Sequence, residues 1–318
     1  MIKKIAVIGT GVIGTGWIVR CLAHNKKVIA YDKDLRLEKK LISEIKRAWP
    51  FIKKLFNKKK LNLKNFKYVT SIEEATKEAD FIQECATENY KIKIKLMNII
   101  GNFAKTNAII SSSSSGLLPT KIYSKCKNPA RTIIGHPFNP VYLCPGVEIV
   151  PGKKTNKNFL NKANKFYKSI SMNPIMVKKE LPGYLADRLQ EALWREALHI
   201  INEGYATTKD LDRAIEDGPG LRWSLMGTFL TFHLAGGKAG MKHMLKQFGP
   251  ALKLPWTKLK APKLSRKLSS RVISGTRQQA KGKSVAMISN IRDEYLVNLQ
   301  KLRKRKKRLK RKDRKSVV

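Results

Sequence analysis

The chain opens with an apolar run, Lys4-Ile5-Ala6-Val7-Ile8, that ends directly in Gly9-Thr10-Gly11-Val12-Ile13-Gly14. A G-x-G-x-x-G match alone is a weak signal. Between a strand and a helix it is a strong one, because each glycine then has its own steric task. The first permits a tight turn, the second lets a diphosphate approach the backbone, and the third lets helix and strand pack closely. Free N–H groups and the positive helix end face the diphosphate. Eighteen residues past Gly14 the next β-like run, Lys27–Tyr31, is followed by Asp32. A carboxylate there accepts from the adenosine ribose hydroxyls and repels a 2′-phosphate, so the expected cofactor is NAD rather than NADP. Lys33 and Arg36 soften that preference a little. FAD is a weaker competitor, because no second flavin-type segment is present.

The rest of the first half keeps alternating. A helix is expected over residues 11–24 and a long charged one over 35–59. Short β-like runs follow at 67–70, 80–85, 108–111, 132–134, 147–150 and 174–177, with helical patterns at 90–103 and 160–170. Apolar strands alternating with helices predict a mostly parallel sheet covered on both faces. After about Leu181 the pattern becomes helical: 183–204 stopping at Gly204, then 208–217 with Thr208 as the N-cap, 224–234, 239–247, 264–273 and 285–302. The expected fold class is α/β, a Rossmann domain over 1–181 followed by an all-α domain over 182–300. Residues 301–318 read as a basic tail, disordered or frayed helical.

Charge narrows the function classes less than its size suggests. Lys plus Arg total 66 against 23 acids, for a net +43. Twelve of the basic residues lie between Lys301 and Lys315, against the single acid Asp313. The remainder is diffuse and falls on solvated helix faces such as Lys58 to Lys60, which fits compositional drift better than a nucleic-acid stripe. Non-specific polyanion contact by the tail is expected, with strong salt dependence. No apolar run reaches the roughly 18 residues of a membrane span. The short N-terminal run breaks at Gly9 and reads as a strand, not a signal peptide. Cys21, Cys85, Cys126 and Cys144 include no C-x-x-C pair. That predicts neither a zinc site nor a disulfide framework, but reduced thiols in a cytoplasmic protein.

A second constellation carries chemistry. Gly135-His136-Pro137-Phe138-Asn139-Pro140 follows the run 132–134 and puts His136 at a carboxyl strand end, where open α/β sheets bind ligands. An alcohol dehydrogenase needs a base for the hydroxyl proton as hydride leaves carbon, and histidine suits that role. Glu148, twelve residues on in the run 147–150, can return beside His136 and balance the imidazolium. The other histidines, His24, His199, His233 and His243, sit on helical patterns and read as structural or exposed. A serine run, Ser111 to Ser115, closes another strand; its hydroxyls can position a substrate oxygen, or form a polar strand-to-helix turn with an N-cap.

These residues resemble the L-3-hydroxyacyl-CoA dehydrogenase superfamily over residues 1 to about 300. The likeness rests on the glycine loop with Asp32, on Glu84-Cys85-Ala86-Thr87-Glu88-Asn89 with Lys93, on the serine turn, and on the His136 segment with Glu148. The resemblance implies His136 as general base, Glu148 as its partner, and Ser115 and Asn139 as substrate-positioning residues. It implies Glu88 and Lys93 near the nicotinamide end of the cofactor, a helical domain of the 6-phosphogluconate dehydrogenase-like type, and a homodimer.

Within the superfamily the chain is most similar to a carnitine-oxidising branch, and next to the lambda-crystallin (L-gulonate dehydrogenase) branch. The first likeness rests on residues 189–198, on Gly218-Pro219-Gly220-Leu221-Arg222-Trp223, and on residues 248–258. Acyl-CoA members carry an asparagine where Gly183-Tyr184-Leu185-Ala186-Asp187-Arg188-Leu189 has Asp187. The implied substrate is L-carnitine, oxidised at its 3-hydroxyl to 3-dehydrocarnitine. A quaternary ammonium calls for aromatic faces and negative charge. Asp187 supplies the charge, Trp194 and Trp223 are the candidate cage walls, and Arg195 or Arg222 is the candidate carboxylate fork. The alternatives are a 3-hydroxyacyl-CoA or L-gulonate dehydrogenase with a different pocket, and a non-enzymatic polyanion binder on a dehydrogenase fold.

Overall fold

The computed structural model describes residues 2–57, 60–224, 226–250, 254–257, 260, 263 and 265–313. Compact structure divides into two units, residues 1–188 together with 291–318, and residues 189–290.

The first unit is built on an eight-stranded sheet among the described residues. Its strands are β1 (Lys4–Ile8), β2 (Lys27–Tyr31), β3 (Phe66–Val69), β4 (Phe81–Glu84), β5 (Ile109–Ser112), β6 (Thr132–Pro137), β7 (Gly146–Pro151) and β8 (Asn173–Met176). They lie in the order β3-β2-β1-β4-β5-β6-β7-β8, parallel except for the antiparallel β6–β7 pair. The reversal of strand order beside β1 is the switch point at which such sheets open a ligand crevice. The strands read as continuous apolar runs because both faces are covered. Ile5 and Val7 pack with α1 (Val12–Ala23), α2 (Leu37–Phe56) and α6 (Lys157–Ser169) on one face. Ala6 and Ile8 pack with α3 (Ile72–Thr76), α4 (Tyr90–Phe103) and α5 (Pro119–Ile122) on the other. The same alternation splits Phe81 from Ile82, Ile109 from Ile110 and Ile133 from Ile134.

Several boundaries differ from the sequence reading for local reasons. Helix α2 stops at Phe56, short of residue 59, because Asn57 takes the left-handed conformation (φ 52°) that ends helices. Lys58 and Lys59 lie outside the described residues. Strand β6 runs three residues beyond 134, through His136. Helix α7 (Ala186–Glu203) starts three residues later than expected, after Gly183 and Tyr184 at φ +70° and +42°.

The second unit is helical. Gly204, at φ +81°, ends α7, and the next N-cap is Thr207, one residue before the expected Thr208. Thr207 and Asp210 form a reciprocal capping box at the start of α8 (Thr208–Glu216). Short α9 (Pro219–Trp223) begins at the Pro219 where a break was expected. It is followed by α10 (Thr228–Ala235), α11 (Gly240–Phe248) and α12 (Arg266–Ala280). Arg271 of α12 donates to the carbonyls of Ile201 and Asn202 at the end of α7. Residues 251–253 and 258 of the expected 248–258 motif lie outside the described residues.

The last helix, α13 (Val285–Asp313), is longer than the expected 285–302. From Ile291 onward it belongs to the first unit, where Val297 is wholly buried. The tail is thus helical through Asp313, and residues 314–318 lie outside the described residues.

The glycine loop shows how little slack the α1–β1 packing has. A Cβ on Gly14 would land on the Gly9 carbonyl oxygen, which is backbone and cannot swing away. Gly14→Ala is therefore expected to destabilise the chain by about 1–3 kcal/mol, read as a lowered urea midpoint at unchanged slope.

Candidate active site

Five carboxyl strand ends, those of β1, β2, β4, β5 and β6, carry the glycine loop, Asp32, Glu88, the serine turn and His136, and β7 adds Glu148. At the end of β1, Gly9 adopts φ +99°, and its N–H donates to Tyr31 O at 2.8 Å. Gly11 is the N-cap of α1 and gives its first turn no side-chain cap. A Cβ on Gly11 would meet nothing within 4 Å. An uncapped helix N-terminus behind an open glycine fits a diphosphate. Val12 is exposed and Ile13 packs partly into the core, so the loop shows one apolar residue to solvent and anchors with the next.

Asp32 is turned onto this loop. Its Oδ2 accepts from the Thr10 amide at 2.9 Å and the Thr10 hydroxyl at 2.8 Å, and its Oδ1 from the Lys33 amide at 2.9 Å. A carboxylate offers about four acceptor sites, so capacity for a ribose hydroxyl remains. Arg36 forks onto Asp34, with Nε and Nη2 contacts of 2.8–3.1 Å, which neutralises it locally.

Glu88 and Lys93 take separate places. Lys93 is buried, 2.8 and 3.0 Å from the two oxygens of Glu84 and 3.1 Å from Ala86 O, with Glu88 at 3.5 Å. Glu84 is buried as well and also accepts from the Ala86 amide and the Ser112 hydroxyl. Removing either partner of such a pair leaves a buried charge, at a cost of roughly 3–5 kcal/mol. Glu88 Oε1 clamps the serine turn, accepting from the Ser114 hydroxyl (2.5 Å), the Ser115 amide (2.9 Å) and the Gly116 amide (3.3 Å). Ser115 is exposed on that turn. The sequence reading gave no role to Glu84, Ser112 or Ser114. The available signal was helical spacing: Lys93, Met97 and Ile100 share one buried face of α4.

The β6–β7 register sets His136 directly opposite Glu148. His136 Nδ1 lies 2.8 Å from Glu148 Oε2. The other oxygen, Oε1, accepts from the amides of Leu185 and Ala186, each at 3.0 Å, at the start of α7. Burial alone pushes the Glu148 carboxyl up. The hydrogen bonds from His136, Ala186 and Leu185 outweigh it and hold the group below the usual carboxylate range. An ionised carboxylate only accepts, so in the neutral ring the tautomer with hydrogen on Nδ1 and the lone pair on Nε2 fits this contact. Nε2 faces Asp187, whose Oδ2 is 3.9 Å away. Phe138 and Tyr184 flank the ring at centroid distances of 5.3 and 5.7 Å. The Gly183 amide donates to Gly116 O at 3.3 Å, joining the serine turn to the segment that carries Asp187. Asn139 is exposed at the start of the β6–β7 loop, before a cis bond to Pro140.

The first unit thus brings His136, Glu148 and Asp187 together. Trp194, Arg195, Arg222 and Trp223 belong to the second unit. Trp194 is half exposed, Trp223 is also exposed, and Arg195 pairs with Glu191 one turn earlier.

Residues 4–181 match the model of the 3-hydroxyacyl-CoA dehydrogenase NAD-binding domain, and residues 183–275 that of the 3-hydroxyacyl-CoA dehydrogenase C-terminal domain. The chain is 51% identical over 297 residues to an L-carnitine dehydrogenase of Oceanobacillus iheyensis, covering 93% of this chain and 97% of that one. It is 50% identical over 296 residues to an L-carnitine dehydrogenase of Pseudomonas putida, covering 93% and 92%. Among solved structures, (S)-3-hydroxybutyryl-CoA dehydrogenase of Ralstonia eutropha shares the fold, with a TM-score of 0.63 at 22% identity over 89% of this chain and 95% of that one.

The depressed Glu148 carboxyl has a consequence for stability. Its contribution is complete above the ordinary glutamate range, about pH 4.3, and is lost as pH falls through the lower folded value. The melting-temperature advantage of the parent chain over Glu148→Gln is therefore expected to be largest near neutrality and to narrow on acidification below pH 5. A gap that stays constant with pH would contradict the assignment.

Proposed function

We propose that this chain, which belongs to the 3-hydroxyacyl-CoA dehydrogenase family, oxidises the 3-hydroxyl of L-carnitine to 3-dehydrocarnitine. The observation that carries the substrate is the Asp187 carboxylate 3.9 Å from His136 Nε2. Carnitine places its quaternary nitrogen one methylene from the carbinol carbon. A base that reaches the hydroxyl therefore has the cation close by, and an anion beside the base suits it.

NAD⁺, when bound, supplies the hydride acceptor. The glycine loop and the uncapped start of α1 would hold its diphosphate, Asp32 its adenosine ribose, and Glu88 and Lys93 would lie toward the nicotinamide end. His136 Nε2 accepts the hydroxyl proton as the carbon–hydrogen bond breaks. The resulting imidazolium keeps its Nδ1–H on Glu148, whose charge is held by the start of α7 and needs no rearrangement. Ser115 and Asn139 orient the substrate oxygen. On sequence grounds Trp194 and Trp223 are the candidate faces for the trimethylammonium group, and Arg195 or Arg222 for the carboxylate.

We further propose a homodimer. Helix α10 carries a cluster of apolar side chains, yet Phe229, Leu230, Phe232 and Leu234 are exposed, Phe229 by 83%. Contiguous exposed apolar side chains mark an interaction surface, and a second copy of the chain would cover it. The four cysteines are free thiols, which supports a cytoplasmic location. Among the described residues no helix is long and apolar enough to cross a membrane.

Steady-state rates with L-carnitine, L-gulonate and 3-hydroxybutyryl-CoA separate the readings, and carnitine is expected to give the highest kcat/KM. No NADH formation with any of them would favour the polyanion-binding alternative. His136→Ala is expected to lower kcat by at least 10²-fold while NAD⁺ binding, read by fluorescence, persists. Asp187→Asn is expected to raise KM for carnitine roughly tenfold, and unchanged kinetics would remove Asp187 from the cation site.

A further inference from the structure

The β6–β7 loop is held from two sides by side chains distant in sequence. Arg20 of α1, wholly buried, donates to Val141 O at 2.8 Å and Cys144 O at 3.2 Å. Its other guanidinium hydrogen bonds, to Ile170 O and Ser171 O, tie it to the end of α6. The residues between, Tyr142 and Leu143, are held by α13. Tyr142 donates its hydroxyl to Asp293 Oδ2, and Gln300 Nε2 donates to Leu143 O at 2.7 Å. Four consecutive loop residues are thus each fixed from outside the loop. Inside it, the Leu143 and Cys144 amides close on Pro140 O at 2.9 and 2.8 Å. Asn139 precedes this braced turn directly.

The grip on the α13 side is built into the helix. Asp293 and Gln300 are seven residues apart, two helical turns, so they share a face with the buried Val297 between them. Asp293 is itself fully buried. Arg292 forks onto its Oδ1 at 2.8 and 3.0 Å, and Arg47 of α2 stands 3.9 Å from its Oδ2. A second clip, Lys54 to Glu294 at 2.8 Å, fixes the helix to α2. Val141, Tyr142 and Leu143 are themselves buried, and Asn139, just before them, is the exposed residue of the turn; a buried carboxylate is a costly way to hold such a turn unless its position matters.

We propose that α13 is a positioning element for the site: Asp293 and Gln300, through Tyr142 and Leu143, set the placement of Asn139 beside the substrate. The inference rests on the reading of Asn139 as a substrate-positioning residue. Asp293 and Gln300 touch neither substrate nor cofactor in this account. Their effect falls on KM for the alcohol and spares the NAD⁺ half of the site.

The test uses the full-length chain, NAD⁺, and whichever of the three alcohols above the parent turns over. Tyr142→Phe removes one hydroxyl at constant shape, and Gln300→Ala removes one donor. Each is expected to raise KM for the alcohol about three- to tenfold, with KM for NAD⁺ moving less than twofold. In an Asn139→Ala background the Tyr142→Phe effect is expected to vanish. If both variants lower the melting temperature but leave KM within twofold, or if the effects of Tyr142→Phe and Asn139→Ala simply multiply, α13 is only a stabilising helix. If Asn139→Ala raises KM while the other two are silent, the inference fails and the Asn139 reading stands. If Asn139→Ala is itself silent, the Asn139 reading fails and the inference with it.

Discussion

The Glu148 carboxylate is the contact on which the rest of the site depends. It is wholly buried, and it joins three pieces of chain by two oxygens. One oxygen receives His136 from the neighbouring strand, and the other receives two amides from the start of α7. The antiparallel β6–β7 pairing is what permits this. In a parallel pair a twelve-residue separation would not bring the two side chains opposite each other, because the crossover alone consumes that length. The helix start matters equally. Amides in the first turn have no partner within the helix, so they meet the carboxylate without breaking any backbone hydrogen bond.

The same solution recurs around the crevice, with each buried charge answered locally. Glu84 is answered by Lys93, and Arg20 by four carbonyls, two of them at the end of α6 where the helix dipole is negative. Burial lowers the Arg20 guanidinium to about 10, which still leaves it charged near neutrality. These groups cannot move without stranding a charge. The strand ends they brace are therefore fixed before any ligand arrives, which is the preorganisation a dehydrogenase site requires.

What the sequence made legible was mostly short range. The strand before Gly9, the turn and Asp32 follow one another within 32 residues, and each has a steric reason that needs no distant partner. His136 and Glu148 were legible as a pair because twelve residues fit two strands and a reversal. The start of α7 was misread because residues 183–185 carry a helical apolar pattern. The structure delays the helix so that the Leu185 and Ala186 amides can reach Glu148, a tertiary demand with no local mark. Ser114 rather than Ser115 engages Glu88 with its hydroxyl, a choice that five consecutive serines cannot reveal. The return of α13 to the first unit was the least legible feature. It depends on Asp293 and Gln300 finding Tyr142 and Leu143 some 150 residues away, and in the sequence both lie close to a run of lysines and arginines that suggests a solvated tail.

In the function proposed above, Asp187 is the one charge that selects the substrate within a shared chemistry. A hydroxyacyl-CoA presents no cation near its carbinol, so a carboxylate beside the base would face a neutral chain and leave its own hydration unreplaced. Carnitine presents a cation on one side of the carbinol and an anion on the other. The carboxylate attracts the first and repels the second, which allows only one of the two ways of laying the molecule along the site. Orientation follows, because reversing the zwitterion would set like charges together. Neutralising Asp187 would weaken that distinction even where binding survives. It would appear as inhibition by D-carnitine becoming comparable to that by L-carnitine, with the chemistry at His136 left intact.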